Sequence, residues 1–114
     1  MRNTDACGIV IGGVHTDIAI ELYSNRIFLI ASQFKKFGSM ISVNREASLS
    51  QFTSDIYSTK ILFGADNENI HAAARYISER IDIDRPILIS ICLKDYSKGT
   101  LETVVAAVKQ MKLW

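Results

Sequence analysis

Along the first forty residues, apolar positions recur with the period of a strand, and turn residues break them at short intervals. Cys7 to Ile11 is a short apolar run closed by Gly12-Gly13, a pair that reaches positive φ without steric cost and punctuates a hairpin. From Val14 to Tyr23 the alternation is clean, with Val14, Thr16, Ile18, Ile20 and Leu22 on one face. Ser24-Asn25-Arg26 turns the chain into Ile27–Phe34. There, Ile27-Phe28-Leu29-Ile30 is apolar on both faces, as in a central strand. Lys35-Lys36-Phe37-Gly38 closes another tight turn before a shorter strand, Ser39–Val43. Strands spaced this closely predict an antiparallel meander.

Asn44–Ser58 is polar and Ser-rich, with only a few isolated apolar residues, and reads as a long loop. A short helix over Leu49 and Phe52 is the alternative. The period then changes. Thr59–Phe63 is a strand ended by Gly64, and Asp66 or Asn67 can cap a helix running to about Ile81. Its apolar positions Ile70, Ala73, Ala74, Ile77 and Ile81 share one face. Arg85-Pro86 resets the chain for an apolar strand, Ile87–Leu93. Ser97 or Thr100 then opens a last helix with Leu101, Val104, Val105, Val108 and the Lys112 stem on one stripe. The expected fold is α/β (α+β): a mostly antiparallel sheet of about six strands with two helices on one face, in the order β-β-β-β-β-α-β-α.

Two helices cover one face of such a sheet and little more. Ile27–Ile30 and Ile87–Ile91 nevertheless present apolar side chains on both faces. Each large apolar side chain left in water forfeits about 1.5–3 kcal/mol, so the second face calls for a cover, and a dimer is the expected state.

With 114 residues, the chain is sized for one domain, 1–114. Surface scaling lets about two-thirds of the unfolded surface be buried, enough for a core without staples. The balance of 48% hydrophobic and 22% charged residues excludes disorder and low complexity. A net charge of +1 leaves no footprint for nucleic acid or an anionic membrane. Cys7 and Cys92 lie in separate apolar strands, which fits buried, reduced thiols better than a disulfide. Their role is that of small hydrophobes. There is no secretory h-region and no run long enough to span a bilayer, so a cytoplasmic, and also nuclear, location is expected.

Candidate chemistry is sparse. His15 and Asp17 share a strand face and could orient an imidazole, but no nucleophile can be placed beside them. His71 reads as a satisfied helix residue, and the His and Cys spacings do not suit zinc. Gly8-Ile9-Val10-Ile11-Gly12-Gly13 lacks the dinucleotide fingerprint. The helix start after Gly64-Ala65 carries Asp66 and Glu68, which would repel an anion. Lys35-Lys36-Phe37 is too small a basic tip for nucleic acid. No catalytic, cofactor or metal residues are assigned.

Several segments resemble one family. Ser32-Gln33-Phe34-Lys35-Lys36-Phe37-Gly38-Ser39-Met40-Ile41-Ser42-Val43 resembles the third-to-fourth strand region of the proteasome assembly chaperone 3 family. Ser58–Gly64 followed by Ile70-His71 looks like its next strand and helix start. Cys92-Leu93-Lys94-Asp95-Tyr96-Ser97 and Trp114 are similar to its closing strand, last turn and terminus. Two departures stand out: Gly12-Gly13 replaces a proline-containing turn, and Asn44–Ser58 matches poorly.

The resemblance implies a non-enzymatic chaperone without a cofactor. It implies a heterodimer with a chaperone 4-like protein that guides assembly of the 20S proteasome α-ring through contact with α subunits. A homodimer is expected when the chain is alone. Lys112-Leu113-Trp114 lacks the hydrophobic-Tyr-X tail of ring-capping chaperones, which favours the ring-building role. Leu49, Phe52 and Tyr57 are the candidate client contacts in the long loop. The other reading is a small α/β binding or scaffold module of a different complex.

Overall fold

The Gly12-Gly13 hairpin sets the register of the first two strands. Both glycines have positive φ (57° and 78°), the geometry of a two-residue primed turn, and they place Ile11 opposite Val14. The turn joins β1 (Thr4–Ile11) to β2 (Val14–Leu22), and β3 (Ile27–Gln33) pairs antiparallel to β2. A computed structural model of the chain describes residues 3–36, 38–46, 56–111 and 113. Within these, β4 (Ser39–Glu46), β5 (Ile56–Phe63), α1 (Glu68–Ile81), β6 (Ile87–Cys92) and α2 (Lys98–Met111) complete the expected element order.

The sheet order is β1-β2-β3-β6-β4-β5, which corrects the simple meander. β3 does not pair with β4. Instead β6 enters between them, parallel to β3 and antiparallel to β4. The connection from β3 to β4 must therefore cross two strand spacings, about 9.5 Å, over the end of β6. Phe34 and Lys35 take left-handed φ values (62° and 55°) to do so. Gly38 (φ 65°) passes so close that a Cβ there would collide with the Ile91 carbonyl and the Cys92 side chain. Ser32 Oγ ties the arch, accepting from the Lys36 N–H and donating to the Lys36 carbonyl.

A second correction shortens the long loop. β4 runs on to Glu46 and β5 begins at Ile56, with Asn44, Arg45 and Glu46 opposite Ser58, Tyr57 and Ile56. The connection is thus confined to 47–55. Polar residues hide this pairing from a hydrophobic pattern, yet the backbone ladder does not require apolar side chains. Arg45 sits 5.6 Å from the Tyr57 ring centroid and pairs with Asp82 at 2.6 Å.

Both helices lie on one face. Asn67 caps α1, its side chain accepting from the Ile70 N–H at 3.1 Å, and Asp82 ends it in the left-handed conformation. Ser97 Oγ accepts from the Thr100 N–H at the start of α2. The predicted α1 stripe of Ile70, Ala73, Ala74, Ile77 and Ile81 is buried, as are Leu101, Val104, Val105 and Val108 of α2. These pack on Ile18, Ile20, Ile27, Leu29, Ile41, Val43, Ile87, Ile89 and Ile91, the alternate residues of the four central strands.

Candidate partner interface

The alternate residues that point away from the helices have no covering layer among the described residues. Register carries one row across all six strands: Ala6 faces Ala19, Ala19 faces Ile30, Ile30 faces Ser90, Ser90 faces Met40 and Met40 faces Phe63. The next row runs Thr4, Glu21, Phe28, Leu88, Ser42 and Lys60, apolar in the middle and polar at both ends. On the other side Gly8, Asp17, Ser32 and Cys92 line up. The result is an apolar centre of Phe28, Ile30, Met40 and Leu88 inside a rim of Asp17, Glu21, Asn44 and Lys60. A binding surface has this anatomy, with an apolar core and a wet, charged rim. Phe63 is 69% exposed. A groove of about 480 Å³ runs beside Ala6, Ala19, Phe28 and Ile30.

The rim charges are held in place. Asp17 accepts from Lys35 Nζ at 2.9 Å and lies 2.9 Å from His15 Nε2. The hydrogen bonds from Lys35 and then His15 hold its carboxyl below the usual carboxylate range. Tyr23 donates to Glu21 at 2.6 Å, which raises the phenol.

The family model for proteasome assembly chaperone 3 matches residues 29–111. The chain belongs to the proteasome assembly chaperone 3 family. A proteasome assembly chaperone 3 of Nematostella vectensis is 29% identical over 113 residues, covering 90% of this chain and 84% of its own length. That of Homo sapiens is 26% identical over 109 residues, covering 92% and 88%. The fold matches a chain from the crystal structure of a novel chaperone complex for yeast 20S proteasome assembly. The TM-score is 0.75 at 15% identity, with 96% of each chain covered. The protein is a proteasome assembly chaperone and not an enzyme.

The sites singled out in the sequence take their places in this proteasome assembly chaperone 3 fold. His15 and Asp17 do meet, but both are solvent-facing and the carboxylate also holds Lys35. The neighbouring hydroxyl, Ser32, is occupied by the Lys36 backbone. The His15 ring instead lies over Gly8, where a Cβ would come within 2.8 Å of its Cε1, and fills a position without a side chain. His71 is structural, as expected: with its proton on Nε2 toward Asp66 (2.7 Å), Nδ1 accepts from the Thr59 hydroxyl (2.7 Å). This stitches α1 to β5.

Of the candidate client contacts, Tyr57 lies in β5 under Arg45, whereas Leu49 and Phe52, and the helix weighed over them, fall outside the described residues. Trp114, Phe37 and the Lys112 stem do so as well. Cys7 and Cys92 are free but only half-buried, which corrects the expectation of buried thiols. Cys7 edges α2 on the outermost strand, and Cys92 lies on the open face. Burial first and Asp5 second push the Cys7 thiol up.

The apolar runs in β3 and β6 marked the open face in the sequence. Ala19, Met40 and Phe63 were missed because only strand order puts them in the same row.

Proposed function

We propose that this chain is one half of a chaperone pair. The open sheet face covers the matching face of a proteasome assembly chaperone 4-like partner, and the pair promotes assembly of the 20S α-ring by holding α subunits. The observation that carries the reading is the half-buried apolar centre of Phe28, Ile30, Met40 and Leu88, uncovered among the described residues on a sheet whose other face carries both helices. Without the partner, two copies cover each other in the same way. Family membership supports the α-ring role, and the 47–55 connection with Tyr57 at its exit is the proposed client-contact region. A cytoplasmic, and also nuclear, location is part of this proposal.

Affinity capture of the tagged chain from cells tests this. Recovery of a second small chaperone with free α subunits or partial α-rings, and little mature proteasome, supports it. Capture of an unrelated complex without proteasome subunits would favour the scaffold reading.

A further inference from the structure

The two edges of the sheet are unlike. On β5 the edge is broken by a bulge opposite Met40 and Ile41, carries Lys60, and is tied to α1 through Thr59, which bonds His71 and Arg75. Charges, bulges and packed helices are the ordinary means by which an edge is closed to further strands. β1 has α2 beside one face but neither a bulge nor a run of charge. It pairs without a break with β2 over eight residues, has neither Pro nor Lys, and holds one charge, Asp5.

Ladder phase identifies which backbone groups of β1 are turned outward. In a two-residue hairpin, the residues flanking the turn exchange hydrogen bonds, and bonded and non-bonded pairs then alternate. Ile11, Ile9, Cys7 and Asp5 therefore bond to β2. The Leu22 N–H donates to the Asn3 carbonyl at 2.7 Å, which continues this phase to the strand's start. Thr4, Ala6, Gly8 and Val10 point their N–H and C=O groups away from the sheet. The Ala6 N–H is taken by its own neighbour, Asp5 Oδ1, at 2.8 Å, a local bond that an incoming carbonyl can replace.

We propose that β1 is a self-pairing edge, joining a second copy of this chain by antiparallel β1–β1 pairing about a two-fold axis at Cys7. That register places Thr4 opposite the second copy's Val10 and Ala6 opposite its Gly8. All four outward-facing residues are used, giving about eight backbone hydrogen bonds. Residues of the same face oppose one another, and Asp5 meets Ile9, so no like charges are opposed. The near-absence of charge on β1 fits another copy of itself better than a charged peptide. The contact is small, so association is weak and concentration-dependent. It leaves the open face free, and two chaperone pairs could join through it.

The register has a chemical signature. Cys7 meets its symmetry mate at a non-hydrogen-bonded pair, where Cα atoms lie about 4.5 Å apart, within reach of a disulfide. The full chain with Cys92→Ala is oxidised with copper phenanthroline across a concentration series, alone and with the partner chaperone bound. The expected result is a Cys7-linked covalent dimer in both conditions, with yield rising with concentration. Val10→Pro removes an outward-facing donor without touching the β1–β2 ladder, and should cut the yield at least tenfold. Val10→Lys serves if the proline variant folds poorly. Failure to form the dimer, equal yield in folded Val10 variants, or loss of the dimer when the partner covers the open face would each overturn the proposal. An open-face variant, Ile30→Lys, should crosslink normally, which separates this contact from the chaperone pairing.

Discussion

Gln33 carries a larger share of the stability than its place at the end of a strand suggests. It is 2% exposed, and its amide joins three elements. Nε2 donates to Thr16 Oγ1 on β2 at 3.0 Å, and Oε1 accepts the Lys94 N–H beyond β6 at 2.6 Å. Thr16, itself wholly buried, passes its proton to the Val14 carbonyl at 3.2 Å. Gln33→Leu strands the Lys94 N–H, at about 1–3 kcal/mol, and removes the bond to Thr16, worth about 0.5–1.5 kcal/mol. Added apolar burial returns about 1 kcal/mol. The net loss should be about 0.5–3.5 kcal/mol, centred near 2, or about 8 °C in melting temperature at this chain length. Urea unfolding monitored by circular dichroism reads the change directly. In a double-mutant cycle, Thr16→Val should couple to Gln33→Leu, because the second change removes a partner the first has already lost. A Gln33→Leu protein as stable as the parent, with no coupling to Thr16→Val, would refute the reasoning.

Other consequences are as direct. Gly38→Ala meets both a left-handed backbone and the end of β6, and should cost about 2 kcal/mol or more, measured by the same unfolding curves. Asp95, held low by hydrogen bonds from the Ser97 N–H and then the Ser97 and Thr100 side chains, contributes stability that is present above its ordinary value of 3.8 and lost as pH falls through its lower folded value. Asp95→Asn should therefore flatten the acid limb below about pH 4 in thermal melts, whereas an unchanged limb would contradict that role. The loss sought is a change of slope, since the carboxylate is exposed.

The helices and most strands were legible because their signals are local. The N-cap at Asn67 and the α1 stripe from Ile70 to Ile81 follow from spacing alone, as does the Gly12-Gly13 turn. Strand order was not legible. Nothing in the sequence between β3 and β4 announces that the connection crosses β6, because the close approach of Gly38 to Ile91 and Cys92 exists only once β6 is in place. The polar ends of β4 and β5 were hidden for another reason: Asn44–Glu46 and Ile56–Ser58 pair through backbone groups that carry no side-chain pattern. The open face was legible as a need for a cover, and the register then showed its apolar centre.

The central claim is that this open face, and not the helical face, joins the partner chaperone. Ile30 lies in the middle of the apolar row, between Ala19 and Ser90. A lysine there is solvated in the free chain but buried without a partner in the complex, at about 3–5 kcal/mol. Titration calorimetry with a proteasome assembly chaperone 4-like protein should show Ile30→Lys weakening binding at least about a hundredfold. Glu79→Lys on the exposed side of α1 should leave it unchanged. Normal affinity in a folded Ile30→Lys protein, or loss on changing Glu79, would contradict the account.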